Sequence, residues 1–448
     1  MLVALVVSST HMLLLNQPVP VAVNPVPGDV RPSVRGPRAV LVALAVVLVA
    51  GCFLRLPFYV FTPAHSALNW LAPIHPTPTF QVIGFDEHFY QVYLSALMLG
   101  GLERYPELAR HYVQEQTSLP SAILPPTRFS YIAAAYGWHS IWGTGPLKSL
   151  SAISSFFSML LLGLSALFAW RLGGRAVALC VTALMAFAPT QIHMSQHALI
   201  DGFFAFWATL SLWLLWENLQ RPNRWPWLCG YGIALAVMVL TKENAMFAYV
   251  GILALLVANY WLRFGRLTLS LCLATVVGPF LGVVILVILC GGPGTTIEIY
   301  RLLVSKALVL RYAIITGDGP WYRYLVDLMV ISPVILVLAI GGIFRLKSIE
   351  RAGFYLVLFV AASFVLMANV RYGMNLRYTN MWDFPLRYLA VYCLWQLIPR
   401  RSMPAFWLSV CITVLCLIDL RQYDIFFVQN DVYELVPKDM LRAVKILK

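Results

Sequence analysis

Hydrophobic residues dominate the chain in runs long enough to cross a bilayer, about 20 residues each, broken by short polar segments. Read as membrane spans, these runs cover 39–56, 149–170, 176–191, 199–216, 267–290, 324–344, 352–370, 386–399 and 404–419. The run 225–262 is bounded by arginines at both ends, is too long for one crossing and is slightly short for two. It predicts a helical hairpin whose tip, Thr241-Lys242-Glu243-Asn244, lies at or just below the membrane surface. The pattern is that of an all-α polytopic membrane protein with about 11 crossings.

The polar breaks are unequal. The longest, 57–148, reads as a first outer loop folded on the membrane surface rather than a loose connection. Within it, Phe89, Val92, Tyr93, Ala96 and Leu97 fall at helical spacing, and Gly100-Gly101 ends the run. The spacing predicts an amphipathic helix with Asp86 and Glu87 at its start. A second amphipathic helix is expected near 107–116, followed by Pro125-Pro126-Thr127-Arg128 and an aromatic run over 129–142. A second outer loop covers 291–323. The transmembrane region proper spans 39–420. Residues 1–38, rich in Pro and Val, read as a disordered cytoplasmic tail, and 421–448 as a short outer tail.

Composition agrees with this reading. Residues are 60% hydrophobic and 11% charged, with a mean hydropathy of +0.77. The net charge of +13 would suit a polyanion partner, but its distribution does not. The proposed inner loops carry fourteen basic residues against three acidic ones, which accounts for eleven of the thirteen net positive charges. That is the bias that orients membrane proteins, and no nucleic-acid partner is expected. The cysteines lie mostly inside apolar runs and form no CxxC pair, so they read as small core residues.

Charges at the membrane edge are functional candidates, because burying them costs at least a few kcal/mol. Asp86 and Glu87 are neighbours that point in different directions, so one can face a reaction centre while the other holds the turn. The competing reading makes Asp86 a helix N-cap, with Phe85 and Tyr90 as a hydrophobic staple. Asp201 opens the fourth span and could equally cap it or pair with His197. Lys242 and Glu243 could form a salt bridge with each other at the hairpin tip. Arg128 could be a plain loop cation, and Arg377 and Arg387 could anchor the tenth span. His193 and His197 share a helical face without a metal-binding pattern around them. No phosphate loop or dinucleotide fingerprint is present. No cofactor is expected, with a divalent metal left open. By topology the acids and the outer-loop arginines gather on one side. There an anionic phosphate on a lipid tail could dock on the cations, and a carboxylate could act as general base on an acceptor.

Several motifs also resemble a family. Arg55, Phe85-Asp86-Glu87-x-x-Tyr90, Arg171-Leu-Gly-Gly-Arg175, Pro189 through His197-Ala-Leu-Ile-Asp201, and Leu240-Thr-Lys242 are similar to the GT-C-fold glycosyltransferases that use polyprenyl-phosphate sugars. These include protein O-mannosyltransferases and aminoarabinose transferases. The resemblance covers roughly residues 50–260. It implies a polyprenyl-phosphate-linked sugar donor, inversion at the anomeric carbon and an acceptor hydroxyl or amine on protein, lipid or glycan. It also implies a location in the plasma (inner) membrane, with the site on the non-cytoplasmic face. Asp86 corresponds to the catalytic base, Asp201 to a second active-site acid and Lys242 to a partner of the donor phosphate. The expected site is then Asp86, Glu87 and Asp201 for catalysis, Lys242, Arg128 and Arg377 for the phosphate, and Tyr90, His197 and Glu243 for substrate. Two departures stand out: Glu243 replaces the small residue or glycine that often follows the lysine, and the outer tail is too short for the large C-terminal domain of some members. The rival readings are a transporter or lipid-linked-sugar flippase, disfavoured by charges at one membrane face and no inverted repeat, and a non-catalytic scaffold.

Overall fold

A computed structural model describes residues 37–61, 67–76, 83–310, 317–370, 374–399, 403–430 and 432. Nearly all of the expected cytoplasmic tail, and most of the expected outer tail, lie outside the described residues. Every regular element among the described residues is helical. Four helical runs are long and apolar enough to cross a membrane: Pro146–Ala186, Ala245–Leu262, Leu269–Leu289 and Pro404–Gln429. Shorter apolar helices accompany them at Arg38–Leu54, Trp225–Val239, Pro333–Arg345 and Arg351–Met367.

The expected spans therefore correspond to fewer helices of full span length, and proline accounts for two of the differences. Pro189 cannot continue the preceding helix, so the span expected at 176–191 ends at Ala186 and a separate short helix runs Pro189–Gln196. Pro333 likewise splits the span expected at 324–344 into Arg323–Ile331 and Pro333–Arg345.

The helix Pro146–Ala186 is continuous in hydrogen bonding except at Gly174, whose φ of 81° puts it in the region glycine favours. Arg55 shows that the chain folds back there. Its guanidinium donates to Ser158 Oγ at 3.0 Å and to the carbonyls of Ala186 at 2.9 Å and Met185 at 2.7 Å. On a straight helix, residues 158 and 186 would stand about 42 Å apart. The sequence Arg171-Leu-Gly-Gly-Arg175 is thus the turn that the pattern predicts.

At the centre runs helix Asp201–Gln220, buried along nearly its whole length. Glu217 near its C-terminal end binds Arg171 through both oxygens, at 2.6 and 3.0 Å. Asp201 is the first residue at the opposite end.

The predicted hairpin is present as Trp225–Val239 and Ala245–Leu262. Its first arm lies against Leu269–Leu289 along a seam of small residues. A Cβ on Gly278 would come within 2.7 Å of the Gly232 carbonyl, and one on Gly282 within 2.7 Å of the Ala236 carbonyl. Such backbone-to-backbone contact is how small residues join helices in lipid, where burial of apolar surface gives no driving force.

In the first outer loop, helices stand where the spacing predicts them after Asp86 and near 107–116, as Phe85–Gly100 and Tyr105–Ser118, and a third, Phe129–Trp142, covers the aromatic run. The last docks on the hairpin tip: Ser130 N–H donates to the Leu240 carbonyl at 3.0 Å, and the Ser130 and Thr241 hydroxyls are 2.8 Å apart.

Candidate active site

The start of helix Phe85–Gly100 separates the two adjacent acids into different jobs. Gly84 takes the N-cap position, and Glu87 Oε2 accepts its N–H at 2.8 Å. Glu87 Oε1 accepts the Ala198 N–H at 2.7 Å and lies 3.5 Å from His197 Nδ1. Asp86 is therefore not the N-cap that the sequence allowed: Gly84 holds that position, and Glu87, the third helical residue, reaches back to its amide. The staple does not form either: Phe85 is 58% exposed and meets Phe89, while Tyr90 is buried. Burial would raise the Glu87 pKa, but the His197 hydrogen bond and charge and the two backbone N–H groups together hold it below the ordinary glutamate range.

Asp86, one residue earlier, faces another way. Its Oδ2 accepts Arg377 Nη1 at 3.0 Å. The same Nη1 lies 3.9 Å from Asp201 Oδ2. Asp201 Oδ1 accepts Lys242 Nζ at 2.5 Å, and that ammonium also sits 4.3 Å from the centre of the Tyr378 ring. Residues 86, 201, 242 and 377, from four separate elements, thus form one chain of alternating charge. Asp201 has a further source of stabilisation in the N-terminus of its own helix.

A second branch starts at Arg128. It donates to the Tyr90 hydroxyl and reaches Glu243 Oε2 at 3.4 Å, while Thr127 Oγ1 donates to Glu243 Oε1 at 2.7 Å. Lys242 and Glu243 are therefore not partners of each other. Arg128 is not a plain loop cation: it is buried. Nor does Asp201 pair with His197, which goes to Glu87. Arg387, in contrast, is structural. It binds Asp383 at 2.7 Å and Asp419 at 3.0 Å, and Asp383 also accepts Thr190 Oγ1 and Gln191 Nε2, each at 2.6 Å.

Exposure decides which groups can meet a substrate. The side chains of Asp201 and Lys242 are 1% exposed, whereas Asp86 keeps 15% and Glu243 21%. Lys242, expected on the donor phosphate, is committed to Asp201. Burial lowers its pKa, the nearby Arg128 and Arg377 charges lower it further, and Asp201 only partly opposes them. Asp86 shows the opposite balance. Burial raises its pKa, but Arg377, Arg128 and Lys242 together outweigh that and hold the carboxyl below the ordinary aspartate range. Glu243 is likewise pushed up by burial and brought below its ordinary range, chiefly by Arg128.

The donor set does not suit a divalent ion. A guanidinium already sits between the Asp86 and Asp201 carboxylates, and among the described residues no three His, Cys, Asp or Glu side chains converge. The sequence reading missed Tyr378 and Thr127, whose only sequence signal is adjacency to Arg377 and Arg128.

Residues 128–290 match the dolichyl-phosphate-mannose-protein mannosyltransferase family. The segment contains Arg128, Asp201, Lys242 and Glu243, but not Asp86 or Arg377. No curated protein sequence matches the chain. Among solved structures, the oligosaccharyltransferase of Archaeoglobus fulgidus, in complex with zinc and sulfate, is similar at 13% identity and a TM-score of 0.57, over 90% of this chain and 54% of its own. The archaeal oligosaccharyltransferase AglB, also from Archaeoglobus fulgidus, in complex with an inhibitory peptide and a dolichol-phosphate, is similar at 12% identity and a TM-score of 0.53, over 89% of this chain and 56% of that one. ArnT from Cupriavidus metallidurans bound to undecaprenyl phosphate gives 19% identity and a TM-score of 0.49, over 85% of this chain and 64% of that one. The chain thus spans between half and two thirds of the length of these structures. The all-helical architecture and the AglB likeness show a membrane protein of the GT-C fold, and the mannosyltransferase family match covers its central segment.

Proposed function

We propose that the protein transfers a sugar from a polyprenyl-phosphate donor to an acceptor hydroxyl or amine, with inversion. The observation that carries this is the meeting of Asp86 and Asp201 on one Arg377 guanidinium, with Asp86 partly open and Lys242 fixed behind Asp201. The matched family's name and the dolichol-phosphate held by AglB support a lipid-linked donor. Asp86 acts as general base and takes the acceptor proton as its oxygen or nitrogen attacks the anomeric carbon. The bond to the phosphate oxygen breaks, its electron pair stays on the phosphate, and Arg377, with Arg128 nearby, stabilises the charge that develops. A phosphate leaving group needs no general acid, unlike the departing alcohol of a glycosidase. Asp201 and Lys242 position Arg377 from behind. Tyr90, Glu243 and the Glu87–His197 pair shape the approach of the sugar and acceptor.

The site lies on the non-cytoplasmic face of the plasma membrane in this reading. In support, Asp201 and the Arg171–Glu217 pair sit at opposite ends of the central helix, and Arg171 belongs to the basic loops expected inside. The test supplies membranes with radiolabelled polyprenyl-phosphate sugars. Label should move to an acceptor in the wild type and not in Asp86→Asn. Equal transfer by Asp86→Asn would rule out this mechanism.

A further inference from the structure

We infer that Arg377 is a latch shared between the general base and the donor: it holds Asp86 until a donor phosphate takes the guanidinium from it. The inference rests on the glycosyl-transfer reading and adds an order of events to it.

Three cations, Arg128, Lys242 and Arg377, face three carboxylates, Asp86, Asp201 and Glu243, and each cation already has a partner. Among the described residues of this cluster no cation is held in reserve for an incoming phosphate, so a phosphate that docks on it must take one from a carboxylate. Lys242 is sealed by Asp201 and the Tyr378 ring. Arg128 is held by Tyr90 and Glu243, with Thr127 fixing the far oxygen of Glu243. Glu243, like Asp86, is partly open, so exposure does not separate the two arginines; Arg377 is the one that the general base itself holds, at 3.0 Å, and its contact to Asp201, at 3.9 Å, is longer than a hydrogen bond. Its planar fork also suits a phosphate better than an ammonium does.

Exchange at Arg377 has two consequences. Asp86 loses the largest of the charges that hold its pKa down, so it becomes a stronger base only when donor is present. The charges also balance through the step. When Asp86 takes the acceptor proton, the cluster keeps three cations and two carboxylates, one positive charge in excess. In the same step, the leaving phosphate gains one negative charge as its bond to the sugar breaks. An empty site would hold its base masked against water or acceptor alone.

The test is binding of a short-chain polyprenyl phosphate to the full-length protein in nanodiscs. Asp86→Asn should bind it about ten-fold tighter than wild type, within the usual range of site coupling. Glu243→Gln removes a charge from the same cluster without touching Arg377 and should tighten binding much less. In an Arg377→Ala background, adding Asp86→Asn should give no such gain. Should Asp86→Asn misfold, the wild type still reports. The acid limb of kcat, set by the donor complex, should lie at higher pH than that of kcat/KM for donor, set by the free protein. A wild type that binds the phosphate, with Asp86→Asn no tighter than Glu243→Gln or with coincident acid limbs, overturns the latch alone. A wild type that neither binds it nor transfers sugar overturns the glycosyl-transfer reading and the latch with it.

Discussion

Replacing Lys242 by Met separates a positioning role from direct phosphate contact. The Lys242–Asp201 pair is 1% exposed on both sides with a 2.5 Å contact. Removing one member of a buried pair typically costs about 3–5 kcal/mol, because the other charge stays buried without its partner. Here Asp201 keeps some compensation, since Arg377 lies 3.9 Å away and the helix N-terminus supplies about 1–2 kcal/mol in a favourable buried geometry. The expected loss is therefore about 2–3 kcal/mol. Adding Asp201→Asn removes the stranded charge, so the double variant should recover most of that stability. The assay is thermal unfolding in detergent at one fixed scan rate, because membrane proteins of this size commonly unfold irreversibly. Polyprenyl-phosphate binding is measured on the same samples. Lys242→Met should weaken binding, because the freed Asp201 draws on Arg377, and the double variant should restore it. A double variant that regains stability but not binding would show that Lys242 touches the phosphate, and the argument from burial would be wrong.

Other perturbations give separate readings. Asp86→Asn should slow transfer by about 10²–10⁴-fold, the usual contribution of a positioned base, without raising KM for donor in steady-state assays. Because the Asp86 pKa is held down in the free protein, its base form persists as pH falls. The value of kcat/KM for donor should stay flat from neutrality into the ordinary aspartate range and fall only below it, which a pH–rate profile would show. Glu87→Ala strands the Gly84 and Ala198 N–H groups and should destabilise by about 1–3 kcal/mol for each, read by thermal unfolding. Gly282→Leu forces apart two helices whose backbones touch, and should destabilise by about 1–3 kcal/mol in the same assay.

Much of this site was legible because local rules govern its parts. The 3.6-residue period and Gly100-Gly101 give the Asp86 helix, and the length of 225–262 alone gives a hairpin with Lys242 and Glu243 at its tip. The pairing of the charges was not legible. Lys242 could have met its neighbour Glu243, and Asp201 could have met His197. Instead, packing of distant helices sends Lys242 to Asp201, His197 to Glu87 and Arg377 to Asp86. Side-chain pairing across such sequence separations depends on tertiary geometry that periodicity does not encode. The division of labour between Asp86 and Glu87 lies between these cases. Helix geometry favours the later acid as the cap once the helix start is known, but that start depends on Gly84.

The glycine seam between Trp225–Val239 and Leu269–Leu289 also bears on how a greasy substrate could reach the charges. With the Gly278 and Gly282 backbones against the facing carbonyls, these two helices leave no room between them at that level for an isoprenoid chain. Any such tail must slide in through another doorway in the helical wall, and widening this one would unseat the hairpin whose tip carries Lys242.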